Sequence, residues 1–314
     1  MSKYIITFFL IFQVLNAKAQ ESKTAYNFLR LPVSAHATAL GGENITIIED
    51  DPSLMFSNPA LASSVSDKTV GLSYMNYMRG AHYMGASYTK ALGEKATLAG
   101  GVRYMNYGKM KEVDANNVQT GTFNASEIAV EGIFSYELAR NLVGGITAKF
   151  ITSYIGSYNS MAVGVDLGLN WYEPERQWSV SLVAKNLGGQ IKAYEEEYGK
   201  MPIDVQVGVS KTFAALPVRV SATLVDLTHY DYRFINHLNL GAEVLLSESI
   251  WVGGGYNFRK ADEMTIGKDE NASAHGAGFS VGAGINLEQF KLNLAYGKYH
   301  AASNSILVNL AYSF

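Results

Sequence analysis

The chain has 314 residues, of which 48% are hydrophobic and only 17% charged, with 30 glycines and 20 tyrosines. This much apolar material excludes a disordered chain. Beyond the first 20 residues, no apolar run approaches the roughly 20 residues that a membrane-spanning helix needs. The abundance of Gly, Tyr, Val and Ser therefore indicates an all-β protein.

The sequence contains few of the motifs that indicate catalysis, metal binding or nucleic-acid binding. There is no cysteine, and the net charge of −3 gives no sign of a nucleic-acid partner. The six histidines show no metal-ligand spacing, so we expect neither a metal nor a cofactor. Ser87 and Lys90 match the S-x-x-K pattern of penicillin-binding proteins, but positions i and i+3 of a strand point to opposite faces. The sequence predicts no enzyme.

The first 19 residues have the three parts of a secretory signal peptide. Lys3 supplies the positive charge, residues 4–15 form a short apolar run, and Ala17-Lys18-Ala19 fits the small-x-small cleavage rule. We expect cleavage between Ala19 and Gln20. The alternative is a buried N-terminal strand or helix.

From residue 69 to the C-terminus, apolar residues alternate with small or polar ones. Examples are Ile203, Val205, Val207 and Val209, with similar runs at 161–171, 238–246, 290–296 and 308–314. A soluble sandwich also alternates, but here the polar face carries few charges and the segments have the length of membrane strands. The sequence predicts an all-β fold, a 14-stranded antiparallel transmembrane β-barrel over 69–314. Its strands are expected at 69–78, 81–90, 95–107, 122–138, 141–155, 159–173, 177–187, 202–214, 216–227, 235–246, 249–259, 275–287, 289–299 and 304–314.

The connections between these segments alternate between short and long. The long ones are Gly108–Gly121, Gly188–Met201, 228–234 and Lys260–Ala274, and all follow odd-numbered strands. Outer-membrane barrels have short periplasmic turns and long extracellular loops. We therefore expect an outer-membrane location, surrounding lipid as a partner, and both termini in the periplasm.

The last strand ends on an aromatic residue. Val308, Leu310, Tyr312 and Phe314 stand at two-residue steps, as is typical of outer-membrane barrels whose assembly machinery reads the terminal strand by strand addition. The alternative is an ordinary last strand that happens to stop at Phe.

Residues 20–68 carry the sequence that points to a family. They contain Phe28-Leu29, then Ala35-His36-Ala37-Thr38-Ala39-Leu40-Gly41-Gly42, then Asp50-Asp51-Pro52-Ser53 and Asn58-Pro59-Ala60. This order resembles the N-terminal region of the FadL-like barrels, and more narrowly the PorV/PorQ group of the Bacteroidetes type IX secretion system. The short, gapless layout is more similar to the PorQ branch. Members of the PorV branch generally carry Arg where this sequence has His36.

We interpret residues 20–68 as a plug inside the barrel. A 14-strand barrel encloses more space than its own side chains fill. Small residues such as Gly41 and Gly42 permit close packing against a wall, and Asn58-Pro59 followed by Ala60 favours a turn. The alternative is a free periplasmic linker.

The strand phases place nine ionisable residues on the inner face. The five cations and four anions are nearly balanced, which favours paired groups that hold the plug over a charge-selective pore. They are Arg103, Lys149, Lys185, Arg219, Lys291, Glu131, Asp166, Asp204 and Glu243.

The resemblance implies a structural role in type IX protein secretion. It implies an outer-membrane barrel that anchors a surface partner, a PorZ-like protein of the complex that attaches cargo to the cell surface. The alternative is a FadL-like transporter for hydrophobic compounds. The candidate partner loop is Tyr194-Glu195-Glu196-Glu197-Tyr198, because aromatic residues anchor interfaces and acids attract a basic partner. A solvated loop tip, or acids bridged by divalent ions to lipopolysaccharide, are the other interpretations.

Overall fold

A computed structural model describes residues 24–78, 80–116, 118–213, 215–264, 276–300 and 303–314. Fourteen antiparallel strands form a closed barrel in chain order, and β1 pairs with β14 to complete it. The predicted fold class is therefore confirmed. The strands are β1 Thr69–Met78, β2 Ala81–Leu92, β3 Ala96–Val113, β4 Gln119–Ala139, β5 Leu142–Ile155, β6 Tyr158–Glu173, β7 Trp178–Lys192, β8 Asp204–Phe213, β9 Val218–Leu224, β10 Leu238–Leu245, β11 Ile250–Asn257, β12 Phe279–Asn286, β13 Phe290–His300 and β14 Ser303–Ser313.

The two faces of the wall have opposite chemistry. Large apolar side chains such as Leu72, Val130 and Val163 point outward and are exposed, whereas charged side chains such as Glu131 and Lys149 point inward and are buried. A soluble protein shows the reverse distribution. An apolar outer face and a polar inner face are what a strand wall in a lipid bilayer requires. Within the described part of the chain, no helix is long and apolar enough to cross a membrane.

The connections fall into two sets. Those after even-numbered strands are short and share one end of the barrel with Thr69 and Phe314, which we call the terminal end. The opposite end, the loop end, carries the three long connections, residues 193–203, 225–237 and 258–278. The third contains helix α2, Phe258–Glu263, and residues 265–275 lie outside the described residues.

The predicted bounds of two loops are wrong, because the neighbouring strands are longer than expected. Most of Gly108–Gly121 is strand, because β3 and β4 continue beyond their neighbours as a two-stranded ribbon in which Met110 lies opposite Phe123. This ribbon alternates poorly in hydrophobicity because neither of its faces meets lipid, so periodicity alone could not reveal it. Similarly, β7 continues to Lys192, which shortens the predicted loop Gly188–Met201.

Residues 24–68, the N-terminal segment, run through the barrel from the loop end to the terminal end. The backbone N–H of Ala25 donates to the carbonyl of Lys200 in the connection between β7 and β8, and the segment leads directly into β1 at the other end. Thr24 thus lies at the loop end and Phe314 at the terminal end, while residues 20–23, the predicted mature N-terminus, lie outside the described residues, so the periplasmic placement of both termini stays a prediction. The predicted signal peptide, with its cleavage site at Ala19 and Gln20, lies outside the described residues.

Short helical turns give the segment its shape. It contains 3₁₀ turns at Asn27–Arg30, Pro52–Phe56 and Pro59–Ser64, and the one-turn helix α1 at Ala35–Ala39. Ser34, Asp51 and Asn58 each cap the turn that follows with a side-chain oxygen. Pro52 and Pro59 occupy first helical positions, where the missing N–H costs nothing.

Candidate functional site in the barrel interior and at the loop end

The Asn58-Pro59-Ala60 turn is bonded to the wall and to the segment itself. The Asn58 side chain accepts from the N–H of Ala60 at 3.0 Å and donates to the carbonyl of Ile45 at 3.0 Å. Its amide nitrogen also lies 3.3 Å from the Ser181 hydroxyl of β7. One amide side chain therefore fixes the turn, ties two parts of the segment together and contacts the wall.

Glycines of the wall make room for this turn. A Cβ atom added at Gly145 of β5 would lie 2.4 Å from backbone atoms of Pro59 and Ala60, and one at Gly168 of β6 would lie 2.1 Å from the Asn58 side-chain oxygen. A side chain at Gly145 or Gly168 would fit only if the Asn58-Pro59-Ala60 turn moved away from the wall. The turn and the two glycines are thus complementary surfaces.

The Gly41-Gly42 pair makes a similarly close approach on the other side of the barrel. Both residues have φ between +94° and +100°, a backbone conformation that favours glycine. The Gly41 N–H donates to the Ser280 hydroxyl at 2.8 Å, and a Cβ at Gly41 would overlap the Asn239 side chain. A Cβ at Gly42 would lie 2.5 Å from Nζ of Lys260. Larger residues at either position would separate the segment from the wall.

His36, at the second position of α1, lies at the centre of a buried ionic cluster. Its Nε2 is 2.6 Å from a carboxylate oxygen of Glu243 on β10, and its Nδ1 is 3.1 Å from one of Glu49. Arg219 of β9 contacts both carboxylates, and the indole of Trp251 stacks on the imidazole at 3.7 Å. Two cations and two anions, contributed equally by the segment and the wall, balance one another when His36 is protonated.

The surroundings of His36 favour its charged form. Burial alone lowers the pKa of His36, but Glu49 and Glu243 outweigh burial and raise this pKa from 6.5 to about 9. Burial alone raises the pKa of Glu49, and His36 with Arg219 more than reverses this effect, so that the pKa lies well below its usual range. A carboxylate near each ring nitrogen favours the imidazolium form of His36.

His36, Glu49 and Glu243 could also be considered as metal ligands, since their donor atoms lie within 4.8 Å of one another. A divalent cation would need a neutral imidazole and would meet the guanidinium of Arg219, which already bonds both carboxylates. The donor set therefore fits an ion-pair cluster better than a metal centre.

Further ion pairs link the segment to the wall around the barrel. Lys291 of β13 lies 2.5 Å from Asp50, and Lys185 of β7 lies 3.5 Å from Glu43. In the opposite sense, Arg30 of the segment lies 2.9 Å from Asp226 in the connection after β9. All nine ionisable residues predicted to face inward are buried or half-buried there. Between wall strands, the described residues pair Arg103 with Glu131, Lys149 with Asp166 and Arg219 with Glu243.

The candidate partner loop lies at the loop end but is not uniformly exposed. Tyr194 is half-buried and donates to the Ser153 hydroxyl on the inner face of β5, which in turn donates to Glu127. Glu195, Glu196 and Glu197 are exposed, and Tyr198 is 65% exposed. Tyr194 is thus an internal anchor of the loop, and the surface available to a partner comprises the three acids and Tyr198.

The C-terminal residues form the strand that closes the barrel. Val308 and Leu310 of β14 lie opposite Tyr74 and Leu72 of β1, with side chains on the outer face. Tyr312 and Phe314 continue this face, and their rings meet edge to face at 4.9 Å. Phe314 is 75% exposed at the terminal end. Its role in assembly stays a prediction.

Little in the sequence indicates that the residues around His36 form one ionic cluster. Glu49, Arg219, Glu243 and Trp251 are spread over three parts of the chain, and no spacing rule connects them. Strand phase did predict that Arg219 and Glu243 face inward. A further signal was His36, a polar residue in a row of small apolar ones, because such a residue needs buried partners once the row packs against a wall.

Comparison with known proteins decides the family. Residues 62–308 match the family model described as type IX secretion system membrane protein PorP/SprF. The chain belongs to this family. This match supports the predicted outer-membrane barrel of the type IX secretion system. The family and the fold are not those of enzymes. No match was found among curated protein sequences.

Solved structures with the same fold include two toluene transporters and a FadL homologue. The toluene transporter TbuX of Ralstonia pickettii has a TM-score of 0.56 at 13% identity and covers 90% of this chain and 96% of its own. The toluene transporter TodX of Pseudomonas putida gives 0.55 at 12%, covering 90% and 97%. A FadL homologue of Pseudomonas aeruginosa gives 0.53 at 10%, covering 88% and 98%. At such identities the similarity establishes a shared fold.

The contact between Gly145 and the Asn58 turn leads to a first prediction. Gly145→Ala should lower the free energy of unfolding in detergent micelles by about 1–3 kcal/mol, because the added methyl group meets backbone atoms of Pro59 and Ala60. The midpoint of urea unfolding measures this change. Gly132→Ala on β4 is the matched control, since its Cβ would meet nothing within 4 Å, and it should be neutral or slightly stabilising. Equal effects of the two substitutions would contradict the close packing.

The ionic cluster leads to a second prediction, on pH. Since the folded-state pKa of His36 is raised, its contribution is complete below about pH 6.5 and is lost as the pH rises through about 9. Stability should fall by on the order of 3 kcal/mol over that range. For Glu49 the lowered pKa gives the opposite sign, so its contribution is lost as the pH falls below about 4.5.

Urea unfolding of the wild type and of His36→Gln across this pH range tests the prediction. The variant keeps a polar side chain but cannot take a charge, so the part of the alkaline decline that His36 causes should disappear. Glu243, Glu49 and Arg219 are the charged groups that face His36, and none of them titrates between pH 6 and pH 9 in ordinary peptides. An identical decline in both proteins would show that His36 is not the titrating group.

Proposed function

We propose that the chain is a closed, non-conducting outer-membrane barrel of the type IX secretion machinery and that it anchors a surface partner of the cargo-attachment complex. The observation that carries this proposal is the occupied interior. The N-terminal segment is bonded to β6 and β7 through Asn58, to β9 and β10 through His36 and Glu49, and to β13 through Asp50. A segment held on several sides acts as a plug.

The finer assignment within the secretion system follows from the N-terminal sequence. The order of motifs from Phe28 to Ala60 resembles the PorQ branch, and that resemblance supports a PorZ-like surface protein as the partner. In this proposal the loop end faces the cell exterior and the terminal end faces the periplasm. The barrel provides the attachment point, and the chemistry of cargo cleavage and attachment belongs to its partners.

The alternative is a FadL-like transporter for hydrophobic compounds. The fold of the toluene transporters favours it, and the interior does contain an apolar cluster in which Phe28 packs against Tyr83. However, four cavities lined by described residues lie on the outer wall or at the loop rim, and none of these four separates the segment from the wall. Conductance and partner recovery distinguish the two functions.

Electrical measurement provides the third prediction. Purified protein in a planar lipid bilayer should show no stable large conductance, because the ion pairs of the segment hold it across the lumen. Glu49→Gln combined with Asp50→Asn removes two of the charges that bond the wall, and it should produce intermittent openings. The control is Glu195→Gln with Glu196→Gln on the exposed loop, which should stay closed. A stable large conductance of the wild type would contradict the plugged barrel.

The surface of the partner loop provides the fourth prediction. Tyr198→Ala together with Glu196→Gln should reduce recovery of secretion-system partners from detergent-solubilised outer membrane by about tenfold, since an aromatic anchor and one attractive charge are lost. The protein should still insert, because neither residue belongs to the wall. The measurement is a pulldown with quantification of the co-purified proteins.

Two further variants serve as controls for that pulldown. Tyr230→Ala removes an aromatic side chain of similar exposure, 59%, from another connection at the loop end and is the matched control. Tyr194→Phe removes only the hydroxyl that bonds Ser153, and it tests whether the loop must be anchored. Unchanged recovery with Tyr198→Ala and Glu196→Gln would move the docking surface to another loop, and co-purified lipid without protein would favour the transporter.

A further inference from the structure

The lipid-facing wall carries a trough that none of the functions above uses. It is a cavity of about 830 Å³ that crosses β8 to β12. Its floor consists of small outward-facing residues on three adjacent strands, Ala222, Ala242 and Gly254, and Ala242 lies directly opposite Gly254. Phe213 borders one end and Phe279 the other. The trough is therefore a recess in the wall rather than a gap between loops.

The trough lies where the wall is shortest. Strands β9 to β12 have only 7 or 8 residues, whereas β3 and β4 have 18 and 21. A membrane strand needs about 9–11 residues to span the hydrocarbon core. The lipid beside so short a wall must adapt to it, so this part of the wall differs from the rest in how lipid meets it.

One end of the trough is cationic. Lys211 of β8 points outward between Val209 and Phe213, and its Nζ lies 5.2 Å from the centre of the Trp178 ring and donates to the carbonyl of Arg176. These residues are at the terminal end of the barrel. A lysine beside a tryptophan at the edge of an apolar surface is suited to a lipid phosphate, because the chain of the lysine stays in the apolar layer while its charge reaches the headgroups.

We propose that this trough binds one anionic phospholipid, with an acyl chain over Ala222, Ala242 and Gly254 and the phosphate at Lys211. The dimensions agree. Four steps between neighbouring strands, at about 4.8 Å each, give a trough about 19 Å wide. The acyl chains of one leaflet extend over half of a hydrocarbon core of about 30 Å, so a single acyl chain can lie along most of the trough. The proposal goes beyond secretion, and it holds for either orientation of the barrel.

Native mass spectrometry of the delipidated full-length protein tests the proposal. Phosphatidylglycerol and phosphatidylcholine with identical chains are titrated separately. The wild type should bind phosphatidylglycerol about fivefold more tightly, the ratio expected for one added charge contact near a membrane surface. Ala242→Phe fills the trough and should abolish the specific adduct of both lipids. Lys211→Gln should remove the preference for phosphatidylglycerol and leave chain binding in place.

The matched control is Ala148→Phe, which adds the same ring to an exposed outward position of β5 outside the trough. Heat-modified mobility in electrophoresis shows that each variant is folded. Equal lipid retention by Ala242→Phe and Ala148→Phe would overturn the proposal. A dimer peak that Ala242→Phe abolishes, without a lipid adduct in the wild type, would assign the trough to a second copy and also overturn it. Partner recovery should be the same in both variants, so failure here is distinct from failure of the anchoring role.

Discussion

The structure depends on one constraint, the pairing of charges inside a wide barrel. An outer face in contact with lipid must be apolar, so the charged residues of the strands are directed inward, away from bulk water. A buried charge without a partner is costly. The N-terminal segment supplies Asp50 for Lys291 and adds Glu49 to Glu243 of the wall as a second partner for Arg219. The connection after β9 supplies Asp226 for Arg30 of the segment. Ion pairs therefore join the segment to the wall on several sides of the barrel.

The same constraint separates a static interior from accessible surfaces. Inside, Gly145 and Gly168 meet the Asn58-Pro59-Ala60 turn at distances that leave no room for a ligand between them. The ionic cluster around His36 is neutral as a whole. Outside, exposed acids stand at the loop end and a recess crosses the shortest strands. The fold is shared with toluene transporters. The function depends instead on what fills the lumen and what the surface presents.

Much of the fold follows from period-two alternation, since every membrane strand must place one face against lipid. The prediction errors lie outside the lipid-facing wall, where this alternation does not apply. The ribbon of β3 and β4 extends beyond the barrel. The positions of residues such as Lys109 and Lys111 therefore follow from pairing between these two strands, and the lipid-facing alternation of the wall does not apply to them. Tyr194 looked like a surface aromatic, yet its hydroxyl reaches Ser153 inside the barrel. A loop sequence does not encode the direction in which its side chains fold.

The sequence by itself determined the number of strands, the inward direction of nine charges and the small-residue character of the N-terminal segment, because these depend on local periodicity and residue size. Only the tertiary structure decided which charges meet. His36 and Glu243 are 207 positions apart, and they come together because the segment threads the lumen and the barrel closes around it. Pairing over such a separation depends on the enclosed geometry, which no local pattern contains.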